Sequence, residues 1–114
     1  MIMRYRPYIA QNVGELLDQL GSMVLGAPTF KDKTGYFSQM NMDTEFLALN
    51  EGLLAIRKKL GEERYATLKA LSDKMHALFE ADPEDKTGEA QAGREIIHEM
   101  EDILKSAAKR KRPE

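Results

Sequence analysis

Apolar side chains recur every three or four positions along four stretches of this 114-residue sequence. That spacing places them on one side of an α-helix, so it predicts four amphipathic helices. The predicted helices run from about Pro7 to Gly26, from Asn41 or Asp43 to Leu60, from Glu62 to about Ala81, and from Thr87 or Gly88 to about Ser106. Each helix must bury its apolar side against the others. We therefore expect an all-α protein, folded as an antiparallel four-helix bundle.

The connection between the first two predicted helices is long, and its residues break the helical period. Residues 29–31 and 36–38 suit short extended arms, and Asp32 and Gly35 are favoured at the two ends of a type I turn between them. An isolated two-stranded hairpin is only marginally stable unless it packs on something else. The segment is therefore expected to form either a small hairpin on the bundle or a long ordered loop.

The charges are unevenly distributed, although the whole chain carries a net charge of only −2. The last ten residues hold five basic side chains and one acidic one, whereas the first 104 residues hold 12 basic and 18 acidic ones. We expect one helical domain over residues 1–105 and a basic, frayed tail over residues 106–114. Because the tail has no interleaved aromatic residues and the rest of the chain is acidic, nucleic acid is not an expected partner.

The chain has no cysteine, which excludes a disulfide framework, a thiolate metal site and a cysteine nucleophile. No apolar stretch approaches the roughly 20 residues that a membrane-spanning helix needs. Arg4 and Arg6 are not followed by the apolar core of a signal peptide. These features predict a cytoplasmic protein without a membrane partner, and no motif indicates a cofactor.

Two acid-x-x-His spacings, Asp73 with His76 and Glu95 with His98, are of the kind that carboxylate-bridged di-iron bundles use, because residues three apart share a helix face. On a helical wheel, however, His98 falls about 160° from Met100, the centre of its apolar arc, and Asp73 also lies outside the arc of its helix. We therefore predict that these are surface side chains and that no metal is bound. A metal site made of the four residues is the weaker alternative.

The sequence Asp-Lys-Thr-Gly occurs twice, at residues 32–35 and 85–88. These four residues resemble the phosphorylated-aspartate motif of cation-pumping ATPases, in which the aspartate is the nucleophile at the end of a parallel strand. Tyr36 and Glu89 follow here in place of the further threonine of that family, and neither copy lies among alternating strands and helices. Both copies are predicted to be turns.

The second predicted helix carries two polar residues, Asn50 and Arg57, inside its apolar arc, at about 40° and 20° from Phe46. A polar residue on a buried stripe needs a hydrogen bond or an ion pair, and such a bond would fix the register of the helix. Alternatively, the rest of the chain covers the apolar stripe of this helix only in part, and Asn50 and Arg57 face a partner protein. Leu47 and Leu54 widen the arc to more than about 100°, which indicates contact with more than one neighbour.

Large apolar side chains are also concentrated in the long connection, at Phe30, Tyr36, Phe37 and Met40. Aromatic rings are favoured at binding hot spots because each carries a large apolar area. The same rings can instead fold back onto the bundle as a packed lid. These four residues join the two polar residues of the second helix as candidates for binding a partner.

No nucleophile, base and orienting group can be placed together from these patterns, so catalysis is not expected. The chain is predicted to be a small protein-interaction module of a bacterial type, such as an inhibitory, antitoxin or immunity protein that blocks its target sterically. Its acidic body suits a basic enzyme surface, because charge complementarity speeds encounter. The alternative is a homo-oligomeric structural or regulatory protein in which the second helix packs against its symmetry mate. A metal-binding helical enzyme is the third and weaker hypothesis.

Overall fold

The computed structural model describes residues 8–30 and 42–109. Over these two ranges the protein is all-helical and contains no strand. The five helices are α1 (Val13–Gly26), α2 (Met42–Ala55), α3 (Arg57–Leu60), α4 (Glu62–Ala81) and α5 (Glu89–Lys109). The all-α prediction is confirmed, and α4 has the predicted bounds. The predicted hairpin or loop lies outside the described residues from position 31 onward.

The first helix begins at Val13, later than the predicted start near Pro7. Asn12 has an extended backbone, and its side-chain Oδ1 accepts a hydrogen bond from the backbone N–H of Glu15 at 2.8 Å. Such an N-cap satisfies a backbone donor that has no partner within the first helical turn. The predicted start was wrong because the apolar period continues upstream to Ile9, which lies outside the helix.

The second predicted helix is interrupted at Ile56, whose backbone has φ −108° and ψ 13°. Two backbone hydrogen bonds meet at the interruption: the Ile56 N–H donates to the Gly52 carbonyl at 3.3 Å, and the Leu60 N–H donates to the Ile56 carbonyl at 3.0 Å. The short α3 therefore follows α2 without an intervening loop. Asp43, one of the two predicted N-caps, lies inside the first turn of α2 instead.

Asp82 organises the turn between α4 and α5. Its side chain is buried, and its carboxylate accepts hydrogen bonds from the backbone N–H groups of Lys86, Thr87 and Ala90 at 2.7, 3.2 and 3.0 Å. Burial raises the pKa of the Asp82 carboxyl, but the backbone donors of Ala90, Lys86 and Thr87 together outweigh burial and lower the pKa to about 2. A buried carboxylate thus holds the whole turn, and the structure confirms the turn predicted at residues 85–88.

Arg94 on α5 ties this turn to the end of α1. Its Nη2 lies 2.8 Å from Asp85 Oδ2 and also donates to the backbone carbonyl of Ala27 at 3.2 Å. The aspartate of this Asp-Lys-Thr-Gly copy is therefore one partner of a structural ion pair. The other copy, at residues 32–35, lies outside the described ranges.

The core lies between four of the helices: α4 packs against α5 and α2, and α1 packs against the same two helices. Its fully buried side chains come from each of them, including Leu16, Leu20, Leu49, Leu53, Leu68, Met75, Phe79, Ile97 and Met100. α5 extends to Lys109, beyond the predicted end near Ser106, and residues 110–114 lie outside the described ranges. The helices thus bury one apolar side each, as the periodicity predicts.

Candidate interaction surface

α2 carries apolar side chains on two sides, and the helices that the structure describes cover one of them. Phe46, Leu49 and Leu53 are at most 2 % exposed and belong to the core. Leu47 and Leu54 remain 57 % and 48 % exposed. Seven residues are about two helical turns, so these two leucines lie on the same side of α2, roughly 10 Å apart along its axis. The structure therefore places an apolar pair at the surface where the sequence predicts a wide buried arc.

One charged residue continues this exposed side of the helix. Asp43 lies four residues before Leu47, is exposed, and has no ion-pair partner within the described part of the chain. On a helical wheel Asp43, Leu47 and Leu54 fall within about 40° of one another. We refer to these three residues as the α2 face. Lys58 lies beyond the interruption at Ile56 and is not part of it.

The polar residue Asn50 lies at the edge of this surface and is engaged inside the protein. The hydroxyl of Ser72 on α4 donates a hydrogen bond to the Asn50 Oδ1 at 2.9 Å. Ser72 is completely buried, whereas Asn50 is half-buried. The bond joins α2 to α4, as expected for a polar residue that fixes helix register.

Arg57 is exposed rather than buried in an apolar stripe. The chain turns at Gly61 directly after α3, which brings two residues of α4 next to the guanidinium. Arg57 donates from Nε and Nη2 to the Glu62 carboxylate at 2.9 and 2.7 Å, and its guanidinium carbon lies 4.7 Å from the ring centre of Tyr65. These hydrogen bonds raise the pKa of Arg57 and lower the pKa of Glu62. Arg57 thus stabilises the junction between α3 and α4.

Phe30, the first of the aromatic candidates in the long connection, lies in the core and is only 1 % exposed. Its ring makes edge-on contacts with Phe46 and Phe79, with ring centres 5.9 and 5.5 Å apart. Phe30 therefore packs inside the protein, as the lid hypothesis expects, and its ring is not accessible to a partner. Three further candidates lie outside the described residues: Tyr36, Phe37 and Met40.

Asp73 and His76 on α4 contact different residues. Asp73 is exposed, and its Oδ1 lies 2.7 Å from the Nζ of Lys69. His76 stacks on the ring of Phe46, with ring centres 4.4 Å apart and planes 12° apart. Its Nε2 is buried without a hydrogen-bond partner and lies 3.7 Å from the Glu80 carboxylate. His76 is therefore positioned by stacking on Phe46, and it does not share a metal-binding geometry with Asp73.

The corresponding pair on α5, Glu95 and His98, is exposed. The Nδ1 of His98 lies 3.0 Å from a carboxylate oxygen of Glu101, one turn further along the same helix. Across residues 8–30 and 42–109, no group of three or more histidine, aspartate or glutamate side chains is arranged to hold a metal ion. The four residues of the metal alternative are therefore not brought together.

A signal for the exposed leucines is present in the sequence of α2. Residues 46–49 are Phe-Leu-Ala-Leu, and residues 53–56 are Leu-Leu-Ala-Ile. Four consecutive apolar residues cover about 300° of a helix, more than neighbours on one side can bury. Such runs predict that part of the helix needs a further neighbour, but they do not tell which leucines remain uncovered.

Among the described residues, no helix is long and apolar enough to cross a membrane. Comparison with known proteins gave no relative: no family model, curated protein or solved structure matches the chain. Evidence about function therefore comes from the surface that the helices themselves present.

Proposed function

We propose that this protein is a small interaction module that binds another protein chain through the α2 face. The observation that carries this proposal is the exposure of Leu47 and Leu54 on a helix whose opposite side is already in the core. Burying apolar surface is favourable by about 25 cal/mol per Å². Leucines at heptad spacing are, moreover, the pattern with which one helix packs against another.

An inhibitory, antitoxin or immunity protein is the form of this function that the charges support. The first 104 residues hold 12 basic and 18 acidic side chains, and such an acidic surface favours encounter with a basic target enzyme. Binding would then block the target sterically. The second candidate is a homo-oligomeric structural or regulatory protein that uses the same face, and the heptad spacing of Leu47 and Leu54 favours it, because that spacing packs helices against one another.

We also propose that the fold is an antiparallel four-helix bundle in which α2 and α3 together form one arm. The packing supports this arrangement, because contacts follow a ring from α1 to α2, α4, α5 and back to α1. The hydrogen bonds that meet at Ile56 support treating α2 and α3 as one arm. In such a bundle the α2 face lies on the outside, where a partner can reach it.

Affinity capture from a lysate of the source organism tests the proposed function. The tagged protein is compared with the double variant Leu47→Glu/Leu54→Glu and with Leu25→Glu, a matched control at a leucine of α1 that is 88 % exposed. We expect the same bound protein with the unmodified chain and the Leu25 variant, and at least about a tenfold loss with the double variant. Circular dichroism checks that all three proteins are equally helical.

Two outcomes would contradict the proposal. Equal capture by all three proteins would show that binding does not use the α2 face. Recovery of nothing above an untagged control would argue against the interaction function itself.

A further inference from the structure

We draw no further inference here: the strongest candidate, the groove between α1 and α2 lined by Glu15, Asp18 and Glu45, is a cluster of acidic side chains, and nothing in the described part of the chain shows what ligand would occupy it.

Discussion

The hydroxyl of Ser72 donates a hydrogen bond to the Oδ1 of Asn50 over 2.9 Å, and this bond links α4 to α2. Ser72 is completely buried, so its loss leaves Asn50 without that donor. We expect Ser72→Ala to lower the free energy of unfolding by about 1 kcal/mol, as measured by urea denaturation. Ser106→Ala, at an exposed serine of α5, is the control and should have little effect. Equal effects of the two substitutions would contradict a specific role for the bond.

Phe30 should behave as a core residue although it lies at the start of the long connection. Its ring is 1 % exposed and packs edge-on against Phe46 and Phe79. Phe30→Ala is expected to cost about 3–5 kcal/mol of stability, because it leaves a cavity among these rings. Leu25→Ala, at a leucine that is 88 % exposed, should change stability little. Thermal and urea unfolding measure the stability of both variants. A Phe30→Ala variant as stable as the unmodified protein would show that the ring does not stabilise the core.

Two glycines within helices should respond to alanine in opposite directions. A Cβ on Gly93 would lie 2.6 Å from Cε1 of the buried Phe79, so Gly93→Ala should destabilise the protein by about 1–3 kcal/mol. A Cβ on Gly21 would meet nothing within 4 Å, so Gly21→Ala should stabilise α1 by about 0.5–1 kcal/mol. Urea denaturation measures the free energy of unfolding of both variants and of the unmodified protein. A stabilising Gly93→Ala would mean that α5 does not approach Phe79 as closely as described.

Asp82 should make stability depend on pH in the acid range. Its pKa is about 2 in the folded protein against an ordinary value of 3.8, so the carboxylate stabilises the fold above pH 4 and loses this effect as the pH falls towards 2. Asp82→Asn should therefore be less stable than the unmodified protein at pH 7, and the difference should narrow between about pH 4 and pH 2. Denaturant unfolding of both proteins at several pH values measures this difference in stability.

Asp102→Asn is the matched control for this titration, since its side chain is exposed on α5. Its stability difference from the unmodified protein should be small. A difference for Asp82→Asn that stays constant across the acid range would show that the backbone donors of Lys86, Thr87 and Ala90 do not favour the charged form.

Much of the fold could be predicted because helix formation depends on local spacing. The apolar period predicted α4 from Glu62 to about Ala81, and those are its observed bounds. The predicted start of α1 is too early, since the period cannot show that Asn12 adopts an extended backbone and caps the helix. The role of Asp82 is not visible in the local pattern, because three backbone donors from residues four to eight positions later become its partners only once the turn has folded.

The candidate surface was predictable in part. Runs of consecutive apolar residues on α2 indicate that this helix needs neighbours on more than one side. The sequence pointed to Asn50 and Arg57 as the residues to examine, and the structure engages them with Ser72 and Glu62. It leaves Leu47 and Leu54 exposed instead.

The helical character of this protein and the apolar side of most helices follow from the local sequence, since both properties depend on residues within one or two turns of each other. Which apolar side of α2 is covered depends instead on tertiary packing. Packing of α2 against α1 and α4 buries Phe46, Leu49 and Leu53, and the other side keeps its exposed leucines. Coverage depends on where distant helices lie, and no local spacing in the chain contains that information.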